Sequence, residues 1–270
     1  EAILDWRMHG LGSIGQGAHL FYLDDRISFQ EDLTWLLEDP SPILHVSMNH
    51  RELKVLLAHE LLRKQAEQMK LKQVSHLAAR LWDTLFQPTT ILQQRLQQAA
   101  ETLGISEVTL PWTDRSRERA GFLGIHFRAG NESARLWWDP SRHSLGSLPD
   151  FLDCAKQAES ELALPASTPW FLSTDTISAL EMPGVQRLRA SGKLRVLEEA
   201  DGWKLAHVDR SHANLGLQGF VDSYVAYMLL ASAQVLILSR SFFGETAAEI
   251  GAVPHVYFAE GCVRTDMRSS

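Results

Sequence analysis

The sequence predicts an α/β fold of two lobes, the C-terminal one a parallel sheet with helices on both faces. Three observations carry this expectation. Four short apolar runs, Gly121–Phe127, Trp170–Thr174, Val235–Ser239 and Val253–Phe258, have the length of buried strands. Helix-like stretches at 147–162, 176–191, 218–233 and 242–251 lie between them. Strands that alternate with helices build βαβ units, and their covered faces explain continuous apolar runs. Finally, the 270 residues are 45% hydrophobic, enough for one large or two modest domains.

In chain order, Ala2–Met8 is expected to form a strand, followed by a glycine-rich turn, a helix over Ala18–Arg26 and a strand over Pro42–Val46. From Asn49 to Leu103 the chain reads as helical, since Leu53, Leu56, Leu57 and Leu61 recur at helical spacing among strong helix formers. Pro88 interrupts this stretch because proline has no N–H to continue the ladder. Thr89 or Thr90 then caps a second helix that ends at Gly104. Residues 105–120, with Pro111 and the charged run Arg115–Arg119, have no period and read as a linker. Trp137–Gly146 reads as an irregular loop. The expected division is an N-terminal lobe with long helices over 1–115 and a C-terminal lobe over 116–270.

Composition excludes several function classes. A net charge of −7 offers no basic field to collect a nucleic acid, though a local pocket for a small anion is still allowed. Cys154 and Cys262 make neither a disulfide framework nor a metal cluster; they could pair with each other, but each is more simply a core thiol. No run reaches the roughly 18 apolar residues of a membrane span. The chain opens at Glu1 without an initiator Met or signal peptide, so a piece of a longer protein is expected and the compartment stays open.

Four segments could carry chemistry. Gly10-Leu11-Gly12-Ser13-Ile14-Gly15-Gln16-Gly17 satisfies G-x-G-x-x-G, in which glycines let backbone approach a pyrophosphate. A dinucleotide site also needs an apolar strand before the loop, and Asp5, Arg7 and His9 make a poor one. A glycine turn for another ligand, or a purely structural turn, fits equally. In Ile125-His126-Phe127-Arg128, an Arg at the carboxyl end of a parallel strand points into the crevice where α/β proteins bind ligands, and its fork suits a phosphate. His126 projects from the same strand face. A surface Arg beside a core His is the plainer reading.

In Leu238-Ser239-Arg240-Ser241-Phe242-Phe243-Gly244-Glu245, a strand ends and a helix of small residues begins at once. The helix-start N–H groups and the Ser239 and Ser241 hydroxyls would suit a diphosphate or a sugar; either serine would equally serve as a helix cap. Asp175, after Ser173-Thr174, would accept hydrogen bonds from a base or ribose, or cap the following helix. His45, His50, His59 and His76 lack metal-ligand spacing, so no metal is expected. There is no G-x-S-x-G elbow and no Walker lysine.

Taken in order, these segments resemble the fucosyltransferase superfamily, which includes α-1,6-fucosyltransferases, protein O-fucosyltransferases and nodulation fucosyltransferases. The likeness rests on Gly10-Leu11-Gly12, His126-Phe127-Arg128, Ser173-Thr174-Asp175 and the stretch Asp222–Glu249. It covers residues 120–260 well and the first lobe faintly. After His-x-Arg the family often has a second Arg and an acid, where this chain has Ala129, Gly130 and Asn131. The resemblance implies a GT-B-like architecture of two Rossmann-like lobes, the first on the acceptor side and the second holding the nucleotide-sugar.

It further implies an inverting, metal-independent glycosyltransferase without a cofactor, which moves a sugar from a GDP-sugar such as GDP-fucose to a glycan or protein hydroxyl. Arg128 would bind the β-phosphate and stabilise the leaving diphosphate. His126 would line the pocket, Asp175 would meet guanine or ribose, and Ser239, Ser241 and Phe242 would cradle the phosphates and sugar, with Gly10 and Gly12 on the donor. Glu132, in the loop after the Arg, is the expected general base. Expected partners are the donor and a glycan or glycoprotein acceptor, with no nucleic acid. The compartment would be the Golgi or ER lumen in a eukaryote and the cytoplasm in a bacterium. The alternatives are a non-catalytic binding or scaffold relative and an NAD(P)-dependent oxidoreductase that uses the early glycine loop.

Overall fold

The computed structural model describes residues 4–6, 18–23, 43–48, 79, 82, 86–105, 120–130, 143–204 and 216–265. The chain divides into two compact units: residues 1–6 with 78–269, and residues 7–77 with 270. In the first, β1 (Leu4–Trp6) and the later Phe86–Pro88 pair antiparallel. In the second, β2 (Ala18–Leu23) runs parallel to β3 (Ile43–Met48), Ala18 opposite Ile43 and Leu23 opposite Met48. The helix expected over Ala18–Arg26 is therefore a strand. Leu20-Phe21-Tyr22 packs bulky and aromatic residues consecutively, which favours a pleated surface once a partner strand is available. The Asn49–Gln87 part of the expected helical region lies outside the described residues, apart from Ala79, Trp82 and the start of the Phe86–Pro88 strand, which is β4.

The larger unit holds a six-stranded sheet. After β4 come α1 (Thr90–Leu103), β5 (Ala120–Phe127), α2 (Leu148–Glu161), β6 (Trp170–Thr174), α3 (Pro183–Ala190), β7 (Leu194–Arg195), α4 (Gly216–Ser232), β8 (Ala233–Leu238), α5 (Phe242–Gly251), β9 (His255–Phe258) and β10 (Val263–Thr265). The spatial order is β10-β9-β8-β5-β6-β7. All neighbours are parallel except the β9–β10 edge pair. The expected strands and helices are present; the two edge strands β7 and β10 are too short to leave a pattern.

Alternation along the central strands sends side chains to two separate cores. Phe122, Phe171, Leu236 and Leu238 face α1, α4 and α5. Leu123, Ile125, Phe127, Trp170, Leu172, Val235 and Ile237 face α2 and α3. Successive strand residues point to opposite faces, so both faces of such a sheet must be covered. This is the α/β class the sequence predicts, with helices on both faces of a mostly parallel sheet. At Gly251 a Cβ would lie 2.1 Å from the Ala231 carbonyl oxygen, so only glycine lets α5 end against α4.

Thr89 is the cap of α1, its Oγ1 accepting from the Leu92 N–H at 3.5 Å, and Gly104 ends the helix with a φ of 56°. Arg195 donates to the Leu103 carbonyl and closes that end. A buried charge cluster joins α1 to α4. Arg95 grips Asp222 through Nε at 2.8 Å and Nη2 at 3.2 Å, and its guanidinium lies 3.6 Å above the Trp203 ring. Asp222 also accepts from the Lys204 N–H at 2.9 Å and from Gln218 Nε2 at 2.8 Å.

The two cysteines are not separate core thiols: Cys154 on α2 and Cys262 before β10 form a disulfide. Spacing could not show this, because 108 residues separate them and only the parallel sheet brings α2 beside the turn after β9.

Candidate functional site

Strand order reverses between β5 and β8. From β5 the chain winds outward through β6 and β7, then returns to the opposite side of β5 as β8 and continues to β9. At such a switch point the loops leave in opposite directions and open a crevice at the carboxyl ends of the strands. His126-Phe127-Arg128 and Ser239-Arg240-Ser241 are the two strand ends that border it.

The two ends are bound to each other. His126 lies opposite Leu238 in the ladder, and the His126 carbonyl accepts from the Ser239 N–H at 3.0 Å and from Ser239 Oγ at 3.1 Å. Ser239 Oγ also sits 3.3 Å from His126 Nδ1. Ser239 is thus buried and holds β8 to β5 rather than facing open crevice. The buried His126 ring stacks on Phe243 with centroids 5.3 Å apart, and Phe243 meets Tyr227 edge-on at 5.1 Å. Burial pushes the Tyr227 hydroxyl well above its ordinary range, so it stays neutral in the folded protein.

Gly244 makes room for this histidine. A Cβ there would stand 2.7 Å from His126 Nδ1 and 2.9 Å from Leu238 Cδ2. Gly244→Ala is expected to push the imidazole out of place and weaken ligand binding at the crevice, with a fold that stays largely intact. An unchanged His126 ring signal in NMR spectra of the variant would contradict that expectation.

Arg128 stands just past the end of β5, which closes at Phe127, and is half-buried. The turn after it is built by Asp175. One carboxylate oxygen accepts from the Ala129 N–H at 2.9 Å and the other from the Gly130 N–H at 3.2 Å, where Gly130 has a φ of 73°. Asp175 does not cap a helix: the short turn that follows starts at Thr176. It fixes the backbone that carries Arg128, a role that needs β6 beside β5 and so is invisible in the sequence.

Ser241 is the N-cap residue of α5, yet its side chain makes no capping bond. It is only 6% exposed, and its Oγ has no hydrogen-bond partner among the described residues. A buried hydroxyl without a partner is costly unless something else meets it. Together with the first-turn N–H groups of α5, it forms a small set of donors suited to an anion. Phe242 beside it is 51% exposed, a large apolar side chain left at the mouth.

Three side chains at this edge escape sequence reasoning. His143 packs edge-on against Phe151 at 5.3 Å, with Nε2 3.8 Å from Glu260. Glu260 in turn accepts from Arg240 Nε at 2.9 Å, and the Arg240 guanidinium lies 4.9 Å above the Phe258 ring. Their only signal was Arg240's place inside Ser-Arg-Ser. Gly10, Gly12 and Glu132 lie outside the described residues. The stretch after the glycine loop is nevertheless β2 and not a helix, and β1 before it pairs antiparallel with β4. A dinucleotide loop needs a parallel strand before it and a helix after it, so the oxidoreductase reading is not favoured.

No family model and no curated protein sequence matches this chain. Solved structures do. An arginine-to-lysine mutant of Arabidopsis thaliana FUT1 in complex with GDP aligns with a TM-score of 0.53 and 13% identity, over 93% of this chain and 52% of that one. Fucosyltransferase NodZ from Bradyrhizobium aligns at 0.39 and 15%, over 67% and 48%. NodZ α-1,6-fucosyltransferase soaked with GDP-fucose aligns at 0.41 and 16%, over 77% and 65%. The chain spans about half the length of the first two, 52% and 48%. The FUT1 alignment shows a fold shared with that structure.

Proposed function

We propose that this chain is the donor-binding part of an inverting, fucosyltransferase-like glycosyltransferase that uses a GDP-sugar, GDP-fucose in the first instance, and a glycan or protein hydroxyl as acceptor. One observation carries the reading: the buried Ser241 hydroxyl at the start of α5, without a hydrogen-bond partner among the described residues, at the same switch point of the sheet as Arg128. Two other features support it, the overall likeness of fold to a GDP-complexed structure and the bracing of the Arg128 turn by Asp175.

Transfer of the sugar breaks its bond to the β-phosphate oxygen and leaves negative charge on the diphosphate. Arg128 and the α5 N-terminus would stabilise that charge as it grows, the work a divalent metal does in other transferases. Phe242 would lie against the ligand at the mouth. His126 and Ser239 would keep the two strand ends in place. Glu132 remains the proposed base for the acceptor hydroxyl. The lobe over 1–115 would present the acceptor to the lobe over 116–270. Among compartments, the Cys154–Cys262 disulfide favours a lumenal, oxidising one over a reducing cytoplasm.

Thermal stabilisation by GDP, GDP-fucose, UDP-sugars and NAD tests the reading. A ligand at about 100 times its Kd stabilises a protein by about 2.7 kcal/mol, which is readily seen as a rise in Tm. GDP and GDP-fucose are expected to give that rise, and Arg128→Ala to remove it. The absence of any shift with guanine nucleotides would sink the proposal. Binding without hydrolysis or transfer of GDP-fucose would identify the non-catalytic relative instead.

A further inference from the structure

We infer that Arg240 is a second diphosphate-binding group, set just past the end of β8, the strand paired with the one that leads to Arg128, and held ready by Glu260 and Phe258. The inference rests on the donor site proposed above and names a residue that reading leaves unused.

Three features point to it. First, position: the last ladder pair is His126 with Leu238, and the Ser239 N–H still binds the His126 carbonyl at 3.0 Å. Arg128 follows His126 by two residues and Arg240 follows Leu238 by two, just past the ends of the two paired strands, so both stand at the same edge of the crevice. Ser241, with its buried unpartnered hydroxyl, follows Arg240 directly.

Second, orientation. Long cationic side chains at a surface normally sample many rotamers. Arg240 is 68% exposed but is fixed twice, by the Nε bond to Glu260 and by its contact with the Phe258 ring. Both contacts leave the far end of the guanidinium open: among the described residues, Nη1 and Nη2 make no hydrogen bond. An arginine held by Nε and open at its terminal nitrogens presents a ready fork for two phosphate oxygens. Third, economy of charge. Two arginines on neighbouring strand ends repel each other, and Glu260 offsets this while the site is empty. An incoming diphosphate brings enough negative charge to engage both guanidinium groups.

The turn that carries Glu260 is itself anchored. Gly261 and Cys262 both have left-handed backbone, φ 75° and 49°, and the disulfide from Cys262 ties the turn to α2. Glu260 therefore acts as a positioning residue, and Arg240 as the ligand contact.

The test measures Kd for GDP and for GMP by calorimetry in wild type, Arg240→Ala and Glu260→Ala. If Arg240 meets the second phosphate, its removal weakens GDP on the order of tenfold and GMP far less, matching the loss of a charge-assisted contact. Glu260→Ala is expected to change GDP affinity by less than about threefold, since it removes both the brace and a repelling carboxylate. Equal losses in both variants, or an Arg240→Ala effect shared by GDP and GMP, would show a merely structural ion pair and overturn the inference while the donor site stands. Wild type that binds no GDP at all removes the donor site and this inference together. Tm values of the unliganded variants, expected within a few degrees of wild type, separate binding from folding.

Discussion

Asp222→Ala is expected to destabilise the protein by about 3–5 kcal/mol, because it leaves a buried guanidinium without its counter-ion. Four hydrogen bonds converge on this carboxylate, two from Arg95, one from the Lys204 N–H and one from Gln218. Asp222 is almost fully enclosed and Arg95, 15% exposed, lies against Trp203, so water replaces only part of what is removed. Urea unfolding of wild type and variant checks the size. The double variant Arg95→Met with Asp222→Leu should recover more than half of the loss, since no buried charge then remains. A single variant that unfolds within about 1 kcal/mol of wild type would show the pair to be solvated and the account wrong.

Loss of the Cys154–Cys262 bridge carries the second large effect. The bridge closes a loop of 108 residues, and removing a constraint of that length restores to the unfolded chain an entropy worth about 4–5 kcal/mol. Cys154→Ala with Cys262→Ala, or reduction and alkylation, should lower the urea midpoint accordingly. Alanine is the apt replacement at Cys154, because that side chain is buried and a serine would place a hydroxyl in the core. Equal midpoints for oxidised and reduced protein would mean the bridge adds nothing to stability. The bridge also holds the turn with Glu260, so its loss should loosen the Arg240 side of the crevice before the sheet itself melts.

The candidate site was legible in part. His126-Phe127-Arg128 and Ser239-Arg240-Ser241 stood out because polar residues at the end of an apolar strand have few structural reasons to be there. The sequence offered two roles for each serine, and the fold separated them: Ser239 turns inward to the His126 carbonyl, and Ser241 caps the helix without a capping bond. Asp175 is legible as a polar strand-end residue, but its partners in the fold, the Ala129 and Gly130 N–H groups, belong to the turn after β5 and lie 46 and 45 residues earlier. Gly244 looked like one more small residue in a helix until His126 was found packed against its Cα.

What the sequence determined by itself is local: which runs are strands, which are helices, where the Thr89 cap and the Gly104 stop fall. Hydrophobic period and capping chemistry depend on neighbours a few residues away, so one chain suffices to read them. Tertiary structure alone decided the rest: the strand order that brings the ends of β5 and β8 to one crevice, the Arg95–Asp222 pair, the disulfide, and β2 where helix propensity was expected. Each of these joins residues distant in sequence, and only the packed sheet and its two cores specify which distant groups meet.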